Sequence, residues 1–157
     1  MADIGSAEAF SFRERPTPVP GDLRIRWRVA LLLLLLMSSR GKKASLAKLY
    51  VLSDSVQSAE AQSDLVAILH HQRSELTWRL RVEPALARAL DLMVGDKLAD
   101  WTTVSDRVGV CLTPKGVAAA KAVDEWEDVL AEQKAALEAV RSAITEAFVT
   151  RLISAKA

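Results

Sequence analysis

RVEPALARALDLMVGDKLADWTTVSDRVGVCLTPKG, residues Arg81–Gly116, is the stretch whose reading decides the fold. Glu83-Pro84 sets a carboxylate just before a proline at the first position of a helix. There the missing N–H costs nothing, and the negative charge faces the positive helix end. Leu86, Leu90, Met93 and Val94 then recur at three-and-four spacing. This predicts a buried face on a helix from Pro84 to Lys97, with Gly95 weakening the last turn. Trp101–Val104 reads as one short strand and Arg107–Leu112 as its partner, with Val108, Val110 and Leu112 on one face. Ser105-Asp106 supplies turn chemistry between them. Thr113-Pro114 caps and starts the next helix.

Helix, tight hairpin, then a second helix is the order of parts of a winged helix. The chain is accordingly expected to be mainly α (α+β), with a small antiparallel sheet and long C-terminal helices. Residues 1–21 read as a flexible proline-containing tail, 22–113 as the winged-helix-like domain and 114–157 as a C-terminal helical extension.

Upstream, Asp22–Ser38 carries RIRWRVALLLLLLM. Its apolar centre, Val29–Met37, is nine residues long, against ~20 for a bilayer span. A basic flank before a short apolar run imitates a secretory signal, but Ser38-Ser39-Arg40-Gly41-Lys42-Lys43 is a poor cleavage region. No membrane segment is expected. Six consecutive leucines cover every face of a helix, so more than one surface must bury them. Part of that cover is expected from the domain itself and part from a partner subunit. Ala44–Gln57 and Glu60–Ser74 read as amphipathic helices. In Leu76–Val82 the period changes, with Leu76, Trp78, Leu80 and Val82 alternating with polar residues. That is a half-buried strand, expected to be the third member of the sheet.

After Gly116 the chain has no glycine or proline. Val123, Trp126, Leu130, Gln133, Leu137, Val140, Ile144 and Ala147 follow a three-four repeat, the seam of long helical structure. A self-dimer coiled coil, an antiparallel pair folded on the domain and a docking arm all satisfy that pattern.

The 157 residues are half hydrophobic and carry a net charge of +1. The size suits one domain with some extension. Single Cys111 excludes an internal disulfide and suits a reducing cytoplasm. Charge is uneven: Arg24, Arg26, Arg28, Arg40, Lys42, Lys43 and Lys48 fall between Leu23 and Ser53 with no acid, which leaves −6 for the rest.

Little in the chain points to catalysis. His70 and His71 are adjacent, so on a helix they point ~100° apart and do not chelate as an i, i+4 pair would. The glycines are scattered singly, without a phosphate loop, and Cys111 reads as a packing residue. Asp91, Asp96, Asp100 and Asp106 read as caps, turns and solvated face. No catalytic residue, cofactor or metal is expected. An enzyme with a dispersed site, using a group such as His70 or His71, ranks last.

A groove-reading helix needs arginine, lysine, asparagine or glutamine on its outer face. Pro84–Lys97 carries Arg88 and Lys97 against Asp91 and Asp96, with no Asn or Gln. Base readout is therefore disfavoured. Arg40, Lys42, Lys43, Arg79, Arg81 and Arg107 remain candidates for sequence-blind phosphate contact with double-stranded DNA.

The step Leu112-Thr-Pro-Lys-Gly116 is similar to the wing-to-helix step of many bacterial winged-helix proteins. A wider pattern covers most of Val29–Ile153: the leucine-rich helix, Gly-Lys-Lys-Ala-Ser-Leu-Ala-Lys-Leu, Arg81-Val-Glu-Pro-Ala-Leu-Ala-Arg-Ala-Leu, the wing, and a tail ending Ile144-Thr-Glu-Ala-Phe-Val-Thr-Arg-Leu-Ile153. This resembles the small middle component of bacterial three-component ABC-ATPase systems, among them Lamassu-type antiphage defences. The resemblance implies a non-catalytic winged-helix subunit between an SMC/Rad50-like ATPase and an effector protein. Trp27, Leu32, Leu35, Trp126, Leu130, Leu137, Val140 and Ile144 are then expected at partner interfaces or in the core. The alternative expectation is a dimeric winged-helix DNA-binding transcriptional regulator with the tail as its homodimer arm.

Overall fold

A computed structural model of the protein describes residues 21–156, with side chains from Arg24 onward. The proline-containing tail expected for residues 1–21 lies outside the described residues, except for Gly21. That residue opens α1 (Gly21–Ser38), the helix on which the rest is built.

Arg40–Lys42 forms a single 3-10 turn with Gly41 in the left-handed region at φ 68°. Next come β1 (Lys43–Ser45), α2 (Leu46–Gln57) and α3 (Ala59–Leu69). A second 3-10 turn, Glu75–Thr77, leads to α4 (Pro84–Gly95), then β2 (Ala99–Val104) and β3 (Arg107–Leu112). The chain ends in α5 (Pro114–Glu125), α6 (Ala131–Val140) and α7 (Glu146–Ser154). The fold is mainly α with one small antiparallel sheet, in the spatial order β1-β3-β2. In order the chain runs helix, strand, two further helices, then α4 and the hairpin, with the first strand paired to the last.

Several local readings survive intact. Pro84 sits in the first turn of α4. Ser105 and Asp106 both have positive φ, 51° and 59°, as a two-residue hairpin turn requires. The Thr-Pro-Lys-Gly step acquires a physical meaning: it locks onto the chain just past α4. Thr113 Oγ1 donates to the Lys97 carbonyl (2.6 Å), Lys115 Nζ to the Asp96 carbonyl (2.9 Å) and Thr113 N–H to the Leu98 carbonyl (3.0 Å). A Cβ at Gly116 would lie 1.9 Å from that Leu98 oxygen, so only glycine fits the crossing.

Other readings are corrected. The third strand is Lys43–Ser45, paired through Ala44 opposite Val110, and not Leu76–Val82. Three residues are too few for a visible alternation. Gly109 admits this strand, since a Cβ there would meet the Ala44 oxygen at 2.5 Å. Trp78 is buried, but Leu76, Leu80 and Val82 are exposed, so their alternation faces no sheet. Val108 shares a strand face with Val110 and Leu112 but is exposed at the outer end of the hairpin.

The C-terminal seam is helical but broken into three short pieces. Leu130 takes a left-handed conformation (φ 56°) between α5 and α6. Asp124, Glu125, Glu127 and Asp128 crowd this break. Acids oppose the negative end of α5 and favour the positive start of α6. Lys134 Nζ completes the break by donating to the carbonyls of Val123, Asp124 and Trp126 (2.9, 3.1 and 2.6 Å). The tail is thus folded back: α5 packs on α1, α6 on α2 and α7 on α2.

That packing revises the partner-interface expectation. All six leucines of residues 31–36 are buried by the chain's own elements, with α4, α5, α2 and β3 around α1. Leu32, Leu35, Leu130, Leu137, Val140 and Ile144 are all in this core and are unavailable to a partner. Trp27 is half-buried against it, and only Trp126, 60% exposed, stands at the surface. No helix among the described residues is long and apolar enough to cross a membrane.

Leu35→Ala is expected to cost about 2–5 kcal/mol in urea unfolding, through cavity formation at a fully enclosed site. Gly116→Ala should cost about 3 kcal/mol or more, because the clash is with backbone. Trp126→Ser, at an exposed break, should stay within about 0.5 kcal/mol.

Candidate polyanion and partner surfaces

The basic candidates separate into two groups at opposite ends of α2, a helix of 12 residues and so about 18 Å long. Arg40, Lys42 and Lys43 are exposed beside its N-terminus. Arg79 and Arg81 are exposed on the extended stretch that passes its C-terminus, where the Arg81 charge acts on Asp54. The six candidates do not form one stripe.

Arg107 is committed elsewhere. Its Nη2 donates to Glu146 Oε2 at 3.1 Å. The same carboxylate accepts from Ser45 N–H (2.9 Å) and Ser45 Oγ–H (2.8 Å). Glu146 therefore ties β1, β3 and α7 together at one point. It stands in the first turn of α7, where its charge suits the helix end and Thr145 caps by accepting from Phe148 N–H. Arg107 is better described as a structural clamp than as a free phosphate ligand.

Lys48, which the sequence pattern did not single out, sits beside this clamp. It is only 6% exposed, and among the described residues its ammonium has no hydrogen-bond or ion-pair partner. It lines a cleft of about 730 Å³ with Arg40, Lys43, Arg141 and Glu146. Burial pushes its ammonium below the ordinary lysine value, and the Glu146 charge offsets part of that shift. One local signal was readable: Lys48 is a cation in the first turn of a helix that has no acid there. The macrodipole opposes that placement.

At the other end of α2, burial raises the Asp54 carboxyl above its usual range while Arg81 pulls it back. Helix α4, the helix weighed from the sequence for groove reading, exposes Ala87, Arg88, Asp91, Leu92 and Gly95. Its outer face is balanced in charge and partly apolar. On the hairpin, Trp101 (48% exposed) and Val108 (61%) are diagonal neighbours on one face by the strand register. Glu83, before α4, pairs with Arg28 of α1, which anchors the start of that helix to the core.

His70 ends α3 and His71 follows with φ 56°. Among the described residues no three His, Cys, Asp or Glu side chains could hold a metal ion. Cys111 is half-buried on β3.

Glu146→Ala is expected to cost about 2 kcal/mol, since it frees a part-buried arginine and two Ser45 donors. Glu138→Ala, which removes the exposed pair with Arg141, should cost under about 0.5 kcal/mol. For Asp54 the folded-state pKa is raised, so its contribution is full below the unfolded value and is lost as pH rises through the folded one. Asp54→Asn should therefore raise Tm at neutral pH, with the gain vanishing in acid; a Tm series across pH checks this.

Compared with known protein families, curated proteins and solved structures, the chain matches none.

Proposed function

We propose that this chain is a non-catalytic winged-helix accessory subunit that bridges an SMC-like ATPase and an effector in a bacterial antiphage defence complex. The observation that carries the reading is the outer surface of α4 and the hairpin. Where a DNA-reading protein would place donors for base edges, α4 exposes Leu92 beside a balanced Arg88 and Asp91, and the hairpin separately exposes Trp101 and Val108. Apolar and aromatic groups with few charges suit the centre of a protein interface. The sequence resemblance supplies the kind of partner.

Sequence-blind DNA contact is a secondary part of the proposal, carried by exposed Arg40, Lys42 and Lys43 at one end of α2 and Arg79 and Arg81 at the other. The dimeric regulator reading loses its main support, because Leu130, Leu137, Val140 and Ile144 are spent inside the chain's own core. A cytoplasmic site of action follows from the proposed role.

Co-expression with a neighbouring SMC-like ATPase, followed by size exclusion with light scattering, is expected to give a stable complex. Leu92→Glu with Trp101→Glu should weaken it at least tenfold without lowering Tm. A monomer that captures no ATPase would sink the reading. Titration with a short duplex at two salt concentrations should show affinity that falls steeply with salt and ignores sequence. Sequence-specific binding that survives competitor DNA would instead favour the regulator.

A further inference from the structure

The cleft at the N-terminus of α2 holds a combination that folding alone does not explain. Lys48 is nine-tenths buried, lies in the first turn of a helix and has no partner within ion-pair distance among the described residues. Both placements cost stability, one by desolvation and the other by opposition to the helix dipole. The nearest carboxylate, Glu146, is already occupied by Ser45 and Arg107. Arg40 and Lys43 stand exposed at the rim, and Arg141, which pairs with Glu138, adds a third cation. Facing charges are thus four positive against one negative, and that one is held by an arginine outside the lining.

We propose that this cleft binds a phosphate monoester, with the Lys48 ammonium at its floor and Arg40 and Lys43 at its rim. A dianion there cancels the desolvation cost of Lys48 and gains from the α2 N-terminus. The shape favours a terminal phosphate over a diester of a duplex backbone. Backbone phosphates lie on a convex surface and meet exposed cations, whereas a cation at the bottom of a cleft is reached by a group that protrudes. At about 730 Å³ the cleft is in the range of small-molecule sites, with room beyond the phosphate for an organic body against Val104 and Ile144. This site stands independently of the subunit reading.

The test uses the full chain with inorganic phosphate, AMP and adenosine as probes at constant ionic strength, read by calorimetry and by Tm. Phosphate and AMP are expected to bind and raise Tm, and adenosine to do neither. Tighter binding of AMP assigns the site to phosphate esters. Equal or weaker binding assigns it to free phosphate and overturns the monoester proposal. Lys48→Met should weaken binding about 10–100-fold, the loss of a charge-assisted bond, yet raise the Tm of the free protein. A double variant, Arg40→Gln with Lys43→Gln, tests the rim at exposed positions that do not threaten the fold, and should weaken binding several-fold. No binding by the wild type, or unchanged affinity in both variants, would overturn the site.

Discussion

Helix α1 has no polar face over residues 31–36, and that single constraint shapes the molecule. A helix with leucine on every side must be enclosed all round, because any face left open exposes a stripe of apolar surface to water. The chain meets the demand alone. Helices α4, α5 and α2 pack against α1, and β3 and α6 also contact it. The C-terminal helices are therefore part of the core and not an arm added to it. Residues 22–113 and 114–157 do not behave as a body and an extension, since Val140, Ile144, Phe148 and Leu152 complete the same apolar cluster.

Polar interactions then fix how the pieces are clamped. Glu146 gathers β1, β3 and α7 at one end of the core, over a separation of 101 residues from Ser45. Lys134 closes the broken end of α5, and the Thr-Pro-Lys-Gly step clasps the carbonyls that follow α4. Each ties carbonyl or carboxylate oxygens at the end of one element to a donor from another. Against that background Lys48 stands out, because its side chain is largely enclosed and its ammonium, at the cleft, has no ion-pair or hydrogen-bond partner among the described residues. Such a cost is commonly kept where a ligand repays it.

The surfaces divide in the same way. The α4 and hairpin face is suited to another protein, while the α2 N-terminal cleft is suited to an anion. Exposed Trp126, at the break before α6, and Arg79 and Arg81, at the other end of α2, belong to neither.

What the sequence by itself determined is local. The Pro84 start of α4, the Ser105-Asp106 hairpin, the Thr113 cap and the mainly helical character follow from residues a few positions apart, whose physics is complete within one element. The all-round apolar character of α1 was equally legible. What covers it was not, because cover is a property of distant segments. The third strand escaped notice because three residues carry no period, and the seam was read as continuous because its break depends on Lys134 reaching back to α5. Of the site, the exposed basic residues were visible as composition. Only the tertiary structure divided them between the two ends of α2, committed Arg107 to Glu146, and buried Lys48 beside both. Those outcomes turn on charges meeting across as many as a hundred residues, a distance at which sequence spacing holds no geometric information.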